Sequence, residues 1–514
     1  MKMRRSSLLF LLLLVVLMAT AGVAFVQRAW QRSAPVRNGS VLQLDRNGDF
    51  QRALNEARPG DTIVLQAGAV YEGPFTLPVK TGSEFITIQS SRVNELLEGV
   101  RVSSSQSALF AKLQSAENGA PVVKTQPGAH HYKFVGLEFS TASAKVVVYD
   151  LVRFGDSDQT SLDQVPHHLA IDRSYIHGFD TQDVQRGISL NSAETSITNS
   201  YISEIHGRGY DTQAICGWNG PGPYKIINNY LEGAGENIMF GGADPKIRNL
   251  VPSDIEIRQN YFFKPLSWKV GHPTYAGRHW TVKNLFELKN ARRVTIDSNI
   301  FENNWVDAQA GYAVVFTVRN DNGTAPWSTI EDVTFTNNIV TNSPAALGLL
   351  GKDDLKPSQR ARAILISNNL FTDITGAFLT MSGYENVTIA NNTHIQQGNI
   401  MLLHGEPSPG FVYQNNVTAR DSKGYGVMGD ATGEGLVALT RFTPSYTFRN
   451  NVIAAANSSQ YPPNNFYPAS ATEIGFINPA SGDYRLNAGS RYKRAGNPPT
   501  SLGADFERLP KPSK

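Results

Sequence analysis

Ile296-Asp297-Ser298-Asn299-Ile300-Phe301 returns as Phe335-Thr336-Asn337-Asn338-Ile339-Val340, and again as Ile366-Ser367-Asn368-Asn369-Leu370-Phe371. The pattern is apolar-x-x-Asn-apolar-apolar, and it extends both ways from there. Upstream it reads Ile226-Ile227-Asn228-Asn229-Tyr230-Leu231 and Ile257-Arg258-Gln259-Asn260-Tyr261-Phe262; downstream it recurs at 389–394, 413–418 and 448–453. With serine in the asparagine place it begins at 171–176 and 197–202. Intervals of about 23 to 39 residues are those of one solenoid coil carrying loops of unequal length. The apolar alternation marks a short strand with one buried face. The asparagine tolerates left-handed backbone and bonds nearby peptide groups, so it is expected to turn the chain and, in stacked coils, to form a ladder of amides. One such unit cannot bury its own face. Many stacked units share a continuous apolar bore.

A second strand recurs in each coil. Ile188-Ser189-Leu190-Asn191, Ile215-Cys216-Gly217-Trp218 and Ile238-Met239-Phe240-Gly241 align with Phe286-Glu287-Leu288-Lys289, Phe316-Thr317-Val318-Arg319 and Leu347-Gly348-Leu349-Leu350. Strand period sends the first and third residues inward and the second and fourth outward. The outward column then contains Trp218, Gly241, Lys289 and Arg319. This alignment expects Lys289 and Arg319 on adjacent rungs, about 4.8 Å apart.

The ends fit the same scheme. Phe50, Ala53, Leu54 and Ala57 at helical spacing predict a short helix capping the first coil, where strand edges would otherwise stand open. The expected organisation is a targeting segment over 1–27, a linker over 28–44, one solenoid domain over 45–495 and a tail over 496–514. The 514 residues carry a net charge of only +3, too small by itself to imply a polyanion partner, and the composition is not that of a nucleic-acid protein. The basic stub Met1-Lys2-Met3-Arg4-Arg5 before the apolar run Leu8 to Val26 is the layout of an export signal, either cleaved after Ala21 or Ala24 or kept as an inner-membrane anchor. Cys216 is the one cysteine, so no internal disulfide forms and a large core must hold the domain. A bacterial periplasmic or extracellular monomer, touching a membrane only through an uncleaved 1–27, is the expected setting.

The opening Ala53-Leu54, Glu56-Ala57-Arg58-Pro59-Gly60-Asp61-Thr62-Ile63, the asparagine coils and the closing Gly482-Asp483-Tyr484-Arg485-Leu486 resemble the pectate-lyase-like superfamily. The resemblance covers about Asp45 to Asp505 and implies an all-β, single-stranded right-handed parallel β-helix with an N-terminal capping helix and long side loops. Within it, Asn284-Leu285-Phe286-Glu287-Leu288-Lys289-Asn290 followed by Asn299-Ile300-Phe301 looks like the chondroitinase B and alginate lyase branch. That likeness implies Lys289 as base, Arg319 as the cation facing a substrate carboxylate, and Asn284 and Glu287 as calcium ligands. The sequence departs from the branch in three ways. Further acidic ligands are missing, the interval from Lys289 to Arg319 is longer, and Asn320-Asp321 stands where the branch carries His-Gly.

β-Elimination from a uronate needs a cation at the carboxylate and a base for the adjacent proton. A lysine near other cations is expected to have a lowered pKa, which would make Lys289 such a base. Calcium takes several hard oxygens, and Asp244 and Glu236 are available to add to Asn284 and Glu287. Trp218 is a flat face for sugar stacking, and the loop Gly271-His272-Pro273-Thr274-Tyr275-Ala276-Gly277-Arg278-His279-Trp280 offers His272, Tyr275, His279 and Trp280 as substrate contacts. The plain alternative makes Lys289 and Arg319 a solvated pair with Glu287 and Asp321. Three activities remain open on an acidic polysaccharide: a lyase, a hydrolase using carboxylates such as Asp180, Asp183 or Asp211, and a non-catalytic glycan-binding scaffold.

Overall fold

The computed structural model describes residues 39–419, 426–496 and 501–511. Among them, parallel strands stack into three long sheets of 14, 13 and 13 strands, here A, B and C. Each coil visits the three in turn, as in Ala291–Asp297 of sheet A, Ile300–Glu302 of sheet B and Tyr312–Thr317 of sheet C. The fold is a right-handed parallel β-helix, the hand that parallel crossovers take. Inward residues of all three sheets form one apolar bore, where Phe262 and Phe301 of successive coils stack 4.3 Å apart.

The repeat that opens the sequence reading lies at the corner between sheets A and B. Asn229, Asn260, Asn299, Asn338, Asn369, Asn392, Asn416, Asn451 and Asn465 form a continuous ladder, each Nδ2 up to Asn451 donating to the next Oδ1 at 2.9–3.1 Å. Each amide also serves the backbone. Asn299 Oδ1 accepts from Asn260 N at 2.9 Å, and Asn299 Nδ2 donates to Ile257 O at 2.9 Å. Ser174 and Ser200 continue the row, Ser200 N donating to Asn229 Oδ1 at 2.9 Å. One expectation is refined. The left-handed residue is the one before the ladder amide, at Asn228, Gln259, Ser298, Asn337 and Asn368, so turning and laddering fall to neighbouring residues.

Helix Phe50–Glu56 caps the first coil, with Asp49 accepting from Arg52 N at 2.8 Å and Phe50, Ala53 and Leu54 buried. At the far end a second helix, Leu436–Phe442, closes the bore with Ala438, Leu439 and Phe442; the sequence reading did not place it. Both domain edges move. Val41–Leu44, expected in the linker, is the first strand of sheet A and pairs with Thr62–Leu65. The expected tail folds back onto the solenoid: Leu502, Ala504 and Leu509 are buried, and Ala504 N donates to Thr393 Oγ1 at 3.0 Å. The targeting segment, 1–27, lies outside the described residues. Among the described residues no helix is long and apolar enough to cross a membrane.

Removing an interior ladder amide strands buried backbone groups of the preceding coil, Asn260 N and Ile257 O in the case of Asn299, and takes a donor from the next amide, Asn338 Oδ1. Asn299→Ala is expected to cost about 3 kcal/mol, read as a lower urea midpoint by circular dichroism. An unchanged midpoint would show that the corner holds without it.

Candidate functional site

The outer wall of sheet C carries the site. Leu285 and Phe286 both face the bore, as do Ala313 and Val314 one coil on, so each strand bends at its start and sends Asn284 and Glu287 to the outer side together. Lys289 follows on the same side. Its stem passes over Gly241, where a Cβ would come within 2.6 Å of Lys289 Cβ.

The expected register needs correcting here. Phe286 pairs with Val314 and Leu288 with Phe316, two residues from the expected pairing of Phe286 with Phe316, and Lys289 follows just beyond the paired segment. A slip of two leaves the in–out pattern of Val314-Val315-Phe316 intact, which is why periodicity did not detect it. The two cations still share a wall. Arg319 N donates to Lys289 O at 3.0 Å, and both side chains line one open groove of about 430 Å³ with Glu287, Gln309, Tyr312 and His404. Tyr312 lies flat across Gly348 and donates from its hydroxyl to Thr380 Oγ1 at 2.7 Å, two rungs away.

Beneath the groove sits a buried charge cluster. Asn284 Nδ2 contacts Glu287 Oε2 at 3.3 Å and Gln309 Oε1 at 2.9 Å. Glu236, on the preceding coil, accepts from Gln213 Nε2 at 2.8 Å and faces Lys283 Nζ at 3.6 Å; Lys283 also pairs with Asp211 at 2.5 Å. Burial pushes the Glu287 carboxyl well above the usual carboxylate range, Lys289 draws it down, and the Glu236 carboxylate pushes it up again. Burial alone would lower Lys289, but Glu287, 4.0 Å from its Nζ, and Glu236 outweigh that and hold its pKa above the ordinary value. The expectation that cations depress Lys289 is therefore reversed: the charges nearest its ammonium are carboxylates. Arg319 forms ion pairs with Asp353 at 3.4 Å and with Asp354.

The remaining sequence candidates lie elsewhere. Trp218 points outward but is buried under Arg186, 4.9 Å from its ring centroid, so it offers no face to a sugar. Trp280 is buried too, stacked on His206 at 3.8 Å inside a cluster with Trp268 and Trp305. That cluster anchors the loop, whose outer residues bond locally: His272 Nδ1 to Thr274 Oγ1 at 2.8 Å, and His279 Nε2 to Asp307 at 2.5 Å. Neither of these histidines, nor half-buried Tyr275, lines the groove. Asp244 Oδ2 accepts from Asn322 N, Thr324 N and Thr324 Oγ1, so it clamps the 320s loop and stands apart from the Asn284–Glu287 contacts. Sequence reasoning missed Lys283, Gln309 and Tyr312. Lys283 and Gln309 lie in irregular chain outside the period-2 segments; Tyr312, at the start of its strand, was hidden by the slipped alignment.

No protein-family model matches the chain, and no curated protein matches it. Among solved structures, the catalytic unit of a GH87 alpha-1,3-glucanase from Streptomyces thermodiastaticus strain HF3-3 is similar, with 10% identity, 86% of this chain and 72% of that chain covered, and a TM-score of 0.54. An alginate lyase from Paenibacillus sp. str. FPU-7 matches at 15% identity over 67% of this chain and 94% of that one, with a TM-score of 0.35. A mannuronic acid specific polysaccharide family 6 lyase from human gut microbiota matches at 10% identity over 84% and 83%, with a TM-score of 0.45. Likeness at these identities is likeness of fold.

The raised Glu287 pKa has a sign that can be tested. The folded state keeps a proton that the unfolded chain releases near the ordinary value of 4.5, so this contribution to stability is full below that pH and is lost as pH rises through the folded pKa. Urea midpoints from about pH 5 to about pH 8 should therefore fall less steeply in Glu287→Gln than in the natural protein. Identical slopes would remove Glu287 from the buried titration.

Proposed function

We propose that this groove binds an acidic, uronate-containing polysaccharide and cleaves it by β-elimination. The single observation carrying the reading is that Lys289 and Arg319 line one open groove on the same outer wall. Arg319 meets the uronate carboxylate and offsets the negative charge that develops there. Lys289 Nζ takes the proton from the carbon beside that carboxylate. The freed electron pair becomes a carbon–carbon double bond, the glycosidic carbon–oxygen bond on the next carbon breaks, and the leaving oxygen takes up a proton. Tyr312 carries an O–H on the same wall for that last transfer.

Lys289 must be neutral to act, and Glu287 and Glu236 favour its charged form. Oxygens beside it fit a hard cation: Asn284 Oδ1, Glu236 Oε1 and Gln213 Oε1 are buried without a hydrogen-bond partner, and Glu287 adjoins them. These residues, without Asp244, would hold calcium, which when bound supplies positive charge that offsets the carboxylates. With those two carboxylates offset, burial and the Lys283 ammonium favour the free amine of Lys289, against the Asp321 carboxylate. Export to the periplasm or cell exterior belongs to the same reading and rests on the basic-then-apolar pattern of 1–27.

A hydrolase reading has one observation in its favour, the adjoining carboxyls of Glu236 and Glu287. Both are buried, with Glu236 closed off from solvent, and a glycosidase pair must flank the scissile bond. Asp183 and Asp211 are taken up by Arg208 and Lys283.

Incubation with a panel of uronate polymers, with calcium and with a chelator, is expected to produce the ultraviolet absorbance of an unsaturated sugar. Lys289→Ala and Arg319→Ala should each lower that rate by about 1000-fold while leaving circular dichroism unchanged. Reducing ends without absorbance would make the protein a hydrolase, and saturable binding without either product would make it a scaffold.

A further inference from the structure

Four histidines stand together on the outer face of sheet A, away from the sheet C groove. His130 and His131 open one strand, and His167 and His168 open the next, with His130 and His167 in register. A regular strand would send the two members of each pair to opposite faces. Here His131 and His168 adopt left-handed backbone, with φ of 60° and 53°, and the alternation is broken. Both rings of each pair therefore lie together outside. His130 stacks on His167 at 4.8 Å and His131 on His168 at 4.2 Å. Other coils carry the same left-handed position with Glu194, Asp254, Arg293 or Asp332, so the backbone device belongs to the scaffold and the four imidazoles are particular to these two rungs.

The ring nitrogens converge. Within each pair the two Nδ1 atoms are 2.7 Å apart, so one proton is shared between them. One nitrogen from each of His131, His167 and His168 falls within 4.8 Å of the other two. His168 Nε2 bonds Glu194 Oε2 at 2.6 Å, which leaves its Nδ1 lone pair aimed at the cluster. A carboxylate behind a ligating histidine is the arrangement that fixes tautomer and ring orientation in metal sites. Neutral imidazoles are the ligand form, and nitrogen donors select late first-row divalent ions.

We propose that His131, His167 and His168, with Glu194 orienting His168, form a binding site for a late first-row divalent ion of the zinc or copper kind. The ion displaces the shared proton of the His167–His168 pair and ties two successive coils together. Nitrogens at about 2.1 Å from one ion lie about 3.4 Å apart, so the His167 and His168 Nδ1 atoms, now 2.7 Å apart, separate by roughly 0.7 Å on binding, with the His131 nitrogen already within 4.8 Å of both ligand atoms. The site neither touches the groove nor depends on its activity.

Titration of the full-length protein with zinc chloride by calorimetry, and with copper(II) by electron paramagnetic resonance, tests this. One ion per chain, hyperfine splitting from three nitrogens and a raised melting temperature are expected. His167→Gln/His168→Gln should lose at least about 100-fold in affinity, and Glu194→Gln about 10-fold. His131→Gln, at a half-buried surface position, serves as the second variant if the double one misfolds, and should lose the third nitrogen splitting. Absence of saturable binding, or binding unchanged in His131→Gln, would overturn the proposal.

Discussion

The parallel β-helix depends on holding every coil in the same register as the one beneath it. Parallel strands offer evenly spaced hydrogen bonds but little that distinguishes one register from its neighbour two residues away. The ladder from Asn229 to Asn451 supplies that distinction at one corner, because each amide bonds both the next amide and the backbone of the adjoining coil. A coil displaced by even one residue would bury an unpaired amide and unpaired peptide groups, which is costly in a dry corner. With the A–B corner pinned, variation in loop length is pushed to the other corners, where the long segments between sheets B and C leave the wall.

That division explains where the groove can form. Sheet C carries no such ladder, and its strands bend at Leu285-Phe286 and Ala313-Val314 so that two consecutive residues point inward. The bend brings Asn284 and Glu287 to one side and frees the wall for Lys289, Tyr312 and Thr317. Gly241 and Gly348 leave room for a long side chain of a neighbouring coil to lie across each of them, Lys289 and Tyr312. The wall thus stays open over successive coils and carries both signs of charge.

Electrostatics within the wall are balanced pairwise. Lys283 and Lys289 face Glu236 and Glu287, and Arg319 faces Asp353 and Asp354. No cation of this set stands alone, so each is available to a ligand only when its carboxylate is protonated, displaced or offset. A polyanionic substrate and a hard cation would both act on that balance, in opposite senses at the same residues.

Much of this was legible in the residues alone. The asparagine repeat, the capping helix and the outward phase of Glu287 and Lys289 follow from local rules: strand alternation, helical spacing and the turning of asparagine act over a few residues. Other features needed the folded chain. The pairing of Phe286 with Val314 in place of Phe316 is a two-residue slip that leaves alternation unchanged, so only the stacked coils reveal it. Trp218 and Trp280 read as exposed by phase and by loop context, yet Arg186 and the Trp268–Trp305 cluster cover them, which depends on residues up to tens of positions away. The docking of Leu502 to Leu509 and the convergence of His131, His167 and His168 arise likewise from distances that the chain order does not encode. Periodicity determines which side of a strand a residue occupies; only packing determines what lies above it.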